Sequence, residues 1–353
     1  AVTAQSGALL RTIDPTLASM GVQLASAPVS RTTSTIGGMV ANNAGGEYSL
    51  QYGNTAKAVR TLKVVLADGN EYTIAPLSRK QLDKKMAEPT FEGTLYKNVF
   101  ELIDTHYDTI RNARPAVPRI SSGYALWDVW DKETGVFDLT QLFAGSQGTL
   151  GIITEATLEP VAKPTHSATV LAYMSGLRSL DAVITTVLGH TPATFEGYDE
   201  PSLRHFKTLY RQLGLHQLLK GITGKGMFFG IELQADTEAQ LREKVHALRA
   251  ELIQLGVTVD IEPITTKSTA FWRSRRSVLA LLQTQSRTFH GTPLIDDFAV
   301  PPTKIGTIIP KVRALLKKYA LPASIHGHLG DGALHIIPIG PVLSQKHRRK
   351  LEP

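Results

Sequence analysis

Three stretches of the chain have residue types and spacings suited to chemistry. The first, I-H-G-H-L-G-D-G-A-L-H at 325–335, sets His328 and His335 on either side of a Gly-Asp-Gly turn. On a hairpin this spacing lets two imidazoles converge on one ion, with Gly330 and Gly332 supplying the bend. Two ligands alone make a weak metal site, so a structural role for the pair stays open at this point. The second stretch, F-W-R-S-R-R-S at 271–277, opens a predicted helix and offers Arg273, Arg275 and Arg276. These are either a solvated face or a planar fork for a carboxylate. The third is T-I-G-G-M-V-A-N-N-A-G-G at 35–46. Glycine pairs are costly to order, and two of them around Asn42-Asn43 indicate backbone that another group must approach, as in a cradle of main-chain amides for an anion. Q-Y-G-N-T at 51–55 and G-S-Q-G-T-L-G-I-I-T at 145–154 are further glycine-rich pieces. No strand–G-x-G-x-x-G–helix or G-x-x-x-x-G-K-[ST] fingerprint is present, and G-I-T-G-K-G-M at 221–227 has the wrong spacing.

Positioning these residues requires a frame, and the local patterns supply part of one. An amphipathic helix is expected over 7–21, closed by Gly21, and a hairpin over 58–74 around Asp68-Gly69. A polar helical stretch follows over 78–113, and the glycine-rich turn at 145–151 feeds a β-branched strand. Beyond the prolines at 160 and 164 the texture changes. Strand-like runs at 168–173, 227–233, 257–261, 293–300 and 335–339 alternate with helical ones at 180–188, 238–255, 269–282 and 304–319. That pattern predicts an α+β domain whose sheet carries helices on one face, with a domain boundary near 162.

Composition narrows the function. The chain has 353 residues, 42% hydrophobic and 20% charged, ordinary for a globular protein of about two domains, and it has no apolar run long enough to span a bilayer. It does not begin with Met, as expected of a processed chain or a fragment. The absence of Cys excludes internal disulfides, a thiolate zinc site, a cysteine-ligated iron–sulfur cluster and a cysteinyl flavin link on this chain, so a redox role needs a borrowed cofactor. The net charge of +7 is spread over scattered Lys and Arg without an aromatic-interleaved stripe, which argues against nucleic acid as a partner.

Taken together in their order, A-P-V-S at 27–30, the glycine turns, the hairpin at 62–74, S-S-G-Y at 121–124 and the histidine stretch resemble the flavoproteins of the vanillyl-alcohol oxidase / p-cresol methylhydroxylase superfamily. Within it the chain is most similar to the D-lactate and D-2-hydroxyglutarate dehydrogenases and the glycolate oxidase flavin subunit. The resemblance implies a PCMH-type FAD-binding domain over 1–162, lacking its N-terminal part, and a ferredoxin-like FAD-linked oxidase C-terminal domain over 163–353, truncated. It implies that Pro28, Thr35, Gly37, Gly38, Asn43, Gly45, Gly46, Gly53, Gly145, Gly148 and Ile153 line FAD. It reads W-x-x-R from Trp272 to Arg275 as the clamp on the substrate carboxylate. It makes His328 and His335 ligands of a divalent metal of Zn or Mn type, with Arg275 and His335 acting on the substrate and His326 a neighbour. The implied reaction is oxidation of a D-2-hydroxy acid by hydride transfer to flavin. Electrons then pass to a quinone, an electron-transfer flavoprotein or an iron–sulfur partner. A cytoplasmic protein or one peripheral to a membrane, and a homodimer, would fit. Alternatives are an alcohol or sugar oxidase of the same superfamily and a non-catalytic flavin- or metal-binding remnant. Three departures stand out: Ala333 replaces the usual Asn, Ile337 stands where an Asn often meets substrate, and Ile295 stands where some members have Lys. The family's pyrophosphate loop precedes the start of this chain, and its Glu-His-Gly segment, source of a third metal ligand and a catalytic base, follows its end.

Overall fold

The β-branched runs on either side of Asp68-Gly69 form the expected hairpin. Val59–Val65 and Glu71–Ile74 pair antiparallel, Leu62 opposite Ile74 and Val65 opposite Glu71, and Gly69 takes a φ of 80° that favours glycine. This hairpin is part of a computed structural model that describes residues 1–120, 122–199, 202, 226–261, 271–272, 275, 290–291 and 295–340. Ile152–Leu158 pairs along the other edge of Val59–Val65, and Val2–Gln5 completes a four-stranded sheet. The helical stretch expected over 78–113 is three helices: Arg79–Met86, Phe91–Thr105 and Tyr107–Asn112. Ser78 and Gln81 form a capping box at the first, and the Thr90 hydroxyl caps the second by accepting from Gly93 N–H at 3.0 Å. Tyr96, Phe100 and Ile103, spaced to share one helix face, are buried, and the two aromatics pack against Phe137, with Phe100 also meeting Trp130 edge-on.

The chain divides into two units, one of Ala1–Ala116 with Ile120–Lys163 and one of Val117–Arg119 with Pro164–Pro353. The three residues Val117–Arg119 thus interrupt the first unit in sequence and pack with the second.

In the second unit an antiparallel sheet runs in the order Thr258–Ile261, His166–Met174, Met227–Ala235, Thr194–Asp199, Ala323–His328, Ala333–Gly340, His290–Gly291, and Ile295–Ala299 also pairs with Ala333–Gly340. Helix Glu238–Gln254 packs on the strands His166–Met174 and Met227–Ala235 and on helix Leu180–Gly189, which in turn meets helix Ile305–Lys318. The architecture is the α+β arrangement expected from the alternating pattern.

Two strands at the middle of this sheet, Thr194–Asp199 and Ala323–His328, are absent from the pattern reading. T-F-E-G-Y-D and A-S-I-H-G-H carry Glu, Gly, Asp and His where strand preference calls for apolar or β-branched residues, so context overrides local preference. Thr194–Asp199 is buried throughout and only Ala323 of the second strand is partly exposed. Polar groups placed there need partners, because a buried charge without one is costly.

Candidate functional site

The histidine stretch is a hairpin. Ala323–His328 pairs with Ala333–Gly340, His326 opposite His335 and His328 opposite Ala333. The bend is closed by Asp331 N–H donating to His328 O at 3.1 Å and Gly332 N–H to Leu329 O at 3.2 Å. Gly332 has φ 72°, and a Cβ there would stand 1.8 Å from Val300 O, so no other residue fits without displacing backbone. His326 and His328 are two residues apart on one strand and share a sheet face. His335 joins them, its ring centroid 5.3 Å from His326 and 5.5 Å from His328.

The neighbouring strand supplies the counter-charge. Glu196 lies opposite His328 on one side and Gly230 on the other. One carboxylate oxygen meets His328 Nδ1, and the other accepts from Arg275 Nε at 2.9 Å. Phe271 and Arg275 are both helical, and the Phe271 ring occupies the space over Gly230, where a Cβ would come within 1.9 Å of it. Tyr198, two residues beyond Glu196, stacks on His326 at an interplanar angle of 7° and meets Phe271 edge-on.

Burial by itself would raise the Glu196 carboxyl, but Arg275 and His328 outweigh it and hold the group down at about 2. Burial pushes His328 below the ordinary histidine range despite Glu196, and pushes His326 well below it with help from His335 and Arg275. The contact between Glu196 and His328 is therefore a neutral N–H donor on a carboxylate, with Arg275 the balancing cation. A carboxylate accepting at Nδ1 fixes the tautomer and leaves Nε2 with its lone pair, the arrangement that orients metal-binding or basic histidines. Among the described residues no three His, Cys, Asp or Glu converge as a metal cluster.

Sequence reasoning missed Glu196, Tyr198 and Asp331. The one signal for Glu196 was an acidic residue set between the aromatics Phe195 and Tyr198. Asp331, at the hairpin tip, is raised to about 6 by burial, with Arg119 opposing and Glu196 reinforcing the shift. Arg273 and Arg276 lie outside the described residues, as do Ser121 and most of the helical run at 269–282. Ile295 lies on Ile295–Ala299 opposite Ile336, and Ile337 is buried in the hairpin.

In the first unit the expected cofactor residues form one neighbourhood. Thr35 caps helix Ile36–Ala41, its hydroxyl accepting from Gly38 N–H at 3.1 Å. Gly145 N–H donates to Val40 O at 3.0 Å and Gln147 N–H to Ala41 O at 2.8 Å, so two glycine turns a hundred residues apart meet at the end of that helix. Ser6 joins the start of the helix to the sheet: its carbonyl accepts from Gly37 N–H at 2.9 Å, and its hydroxyl donates to Ile153 O. Asn43 has φ 45° and accepts from Ala56 N–H at 2.9 Å, and Gly53 has φ 78°.

Much of the close backbone approach is protein on protein. A Cβ at Gly37 would meet Ser6, at Gly45 Asn54 and Ser49, and at Gly46 the Ala27 carbonyl beside Pro28, 2.0 Å away. Gly148 differs: with φ 77° next to Gln147 at φ 53°, it borders open space in an exposed turn. With Gln147 N–H given to Ala41 O and Thr149 N–H to Ser146 O at 3.1 Å, it is the Gly148 amide, in its open turn, that would meet an anionic oxygen of a cofactor.

Comparison with known proteins gives the following. Residues 163–353 match the family profile described as FAD linked oxidases, C-terminal domain, and residues 1–75 one described as FAD binding domain. The chain is 27% identical over 355 residues to a D-2-hydroxyglutarate dehydrogenase of Pseudomonas putida, covering 96% of this chain and 34% of that protein. It is 27% identical over 337 residues to the glycolate oxidase subunit GlcD of Bacillus subtilis, covering 94% and 58%. It thus spans about a third of the first relative and just over half of the second. Among solved structures, an alkyldihydroxyacetonephosphate synthase matches with a TM-score of 0.64 at 16% identity, over 99% of this chain and 57% of that one. The 4-ethylphenol oxidase from Gulosibacter chungangensis matches with a TM-score of 0.59 at 10% identity, over 99% and 63%. Those two likenesses concern the fold. No helix among the described residues is long and apolar enough to cross a membrane.

Proposed function

Because the chain belongs to the FAD linked oxidases, we propose that it carries the substrate half and part of the cofactor half of an FAD-dependent dehydrogenase that oxidises a D-2-hydroxy acid to the 2-oxo acid. The observation that carries this reading is the cluster in which Glu196 and His328, buried on one sheet face, meet the buried Arg275, with the half-buried His335 beside them. An alcohol-oxidising site has no use for a guanidinium held in place beside paired imidazoles, whereas a 2-hydroxy acid has a carboxylate for the first and a hydroxyl for the second.

Arg275 gives its Nε to Glu196, which fixes the plane of the fork. A guanidinium has five N–H donors, so a substrate carboxylate can share it and be aligned by parallel hydrogen bonds. Alignment of this kind lowers the barrier by removing rotational freedom before the reaction. His328, its Nδ1 committed to Glu196, presents Nε2, and His335 stands beside it. The two would hold a divalent ion or accept the hydroxyl proton; an ion there would supply Lewis acidity that lowers the hydroxyl pKa. The turn at 145–148 and the residues around Thr35 and Asn43 would hold FAD, which when bound supplies the acceptor for the hydride from C2. The electron acceptor would be a quinone, an electron-transfer flavoprotein or an iron–sulfur protein, because the chain has no Cys to carry electrons onward.

The test is anaerobic bleaching of the flavin-loaded protein by D-2-hydroxy acids, their L-enantiomers and the corresponding alcohols. D-2-hydroxy acids should bleach it, and Arg275→Lys should cut kcat/KM about thirtyfold or more, since truncating one partner of a buried charged pair costs about 2–5 kcal/mol. Metal analysis of His328→Ala and His335→Ala should show loss of any stoichiometric ion. Bleaching by alcohols that lack a carboxylate, at rates equal to the acids, would return the protein to the alcohol-oxidase reading.

A further inference from the structure

Helix Ile305–Lys318 buries Ile305 and Ile309, on the side that meets helix Leu180–Gly189, and turns its other side to water. Lys304, Lys311 and Lys318 recur every two turns on one exposed line, about 20 Å long at the rise of a helix. Beside that line stand Leu315 and Tyr319, 55% and 51% exposed. Lys317 is exposed as well, and the Lys318 Nζ lies 5.3 Å from the centre of the Tyr319 ring. Between Asp297 and Asp331 the sequence has no Asp or Glu. Among the described residues none of these four lysines meets a carboxylate.

A face of one sign with apolar side chains set into it calls for an anionic partner that also has an apolar layer. A second copy meeting this face about a two-fold axis would set lysine against lysine. A folded acidic protein is a poorer match, because protein interfaces are depleted in Lys and enriched in Arg. Arg313, the one arginine of the helix, is half-buried, and its charge acts on the buried Asp199 rather than on the exposed line. A bilayer with anionic headgroups suits a row of flexible ammonium groups, which reach lipid phosphates while a leucine and a tyrosine enter at the headgroup level.

We propose that the exposed face of helix Ile305–Lys318 docks the protein on an anionic membrane surface, with Lys304, Lys311, Lys317 and Lys318 on lipid headgroups and Leu315 and Tyr319 at the interface. Such docking does not depend on which substrate the protein oxidises.

The experiment sediments the full chain with vesicles of phosphatidylcholine alone or with about one-third phosphatidylglycerol, at low and high salt. Anionic vesicles should carry the protein down, neutral ones should not, and salt should release it. A lysine near such a surface is worth about fivefold in partitioning, so Lys311→Gln with Lys318→Gln should weaken binding about 25-fold. Lys311→Arg with Lys318→Arg should keep it, which separates loss of charge from loss of fold. Leu315→Ser should weaken binding and leave its salt dependence in place. Because the chain has no Cys, Ala314→Cys takes a single environment-sensitive fluorophore on this face. Its emission should shift to the blue on anionic vesicles, and the double glutamine variant should abolish the shift. Equal binding to neutral vesicles, or binding and emission unchanged by the glutamine pair, would overturn the proposal. Capture by polyglutamate through these lysines without vesicle binding would overturn it in favour of an acidic protein. Self-association lost in the glutamine variant, again without vesicle binding, would overturn it in favour of a second copy.

Discussion

Replacing Glu196 with leucine would leave the Arg275 guanidinium, 5% exposed, without the carboxylate that answers it, and His328 Nδ1–H without its acceptor. Breaking one side of a buried pair costs about 3–5 kcal/mol. With a urea dependence of about 2 kcal/mol per molar, the unfolding midpoint of the second unit should fall by roughly 2 M. The chain's three tryptophans are Trp127, Trp130 and Trp272, so substituting the first two with Phe leaves Trp272 fluorescence to report on the second unit alone. Adding Arg275→Met to Glu196→Leu removes the stranded charge, and a buried pair replaced as a whole by apolar groups is often neutral or better. The double variant should therefore be more stable than Glu196→Leu by itself. A loss below about 1 kcal/mol for the single change, or a double variant that loses at least the sum of both singles, would refute the assignment of Glu196 as the organising charge.

Two further outcomes follow from geometry. Gly46→Ala must displace the Ala27 carbonyl and should lower the stability of the first unit sharply, whereas Gly148→Ala meets no neighbour and should cost only about 1 kcal/mol of left-handed strain while weakening flavin retention, read as flavin absorbance per protein. Asp199, buried and raised from 3.8 to about 6, accepts from Ser202 and the Ile325 amide and feels Arg313. Its raised value means that the folded state holds the proton more tightly, so this contribution is fully present below pH 4 and lost as pH climbs through 6, by at most about 3 kcal/mol. Asp199→Asn should flatten that fall, and parallel melting curves for the two proteins between pH 4 and 7 would exclude it.

The hairpin at 59–74, the helices Leu180–Gly189, Glu238–Gln254 and Ile305–Lys318 and the nearness of the His328 and His335 rings were legible because their signals are local: a turn dipeptide, an apolar stripe, a seven-residue spacing about a glycine bend. Glu196 was not legible, since it acquires meaning only from residues that the fold brings from far along the chain. Glycine turns were read as ligand contacts, and the structure gives Gly37, Gly45 and Gly46 a packing reason of their own. A sequence signals that backbone comes close to something without saying to what.

The Glu196 cluster also has a bearing on the order in which the second unit folds. Its members come from sequence separations of 79 residues for Glu196 with Arg275 and 132 for Glu196 with His328. Contacts that distant incur the loop-closure entropy of the intervening chain before they return anything, so they form late. Until both arrive, the carboxylate is better solvated than buried, which disfavours closing Thr194–Asp199 away from water ahead of them. The polar cluster thus delays closure of the apolar layers around it until the last strands, Ala323–His328 and Ala333–Gly340, have docked in register.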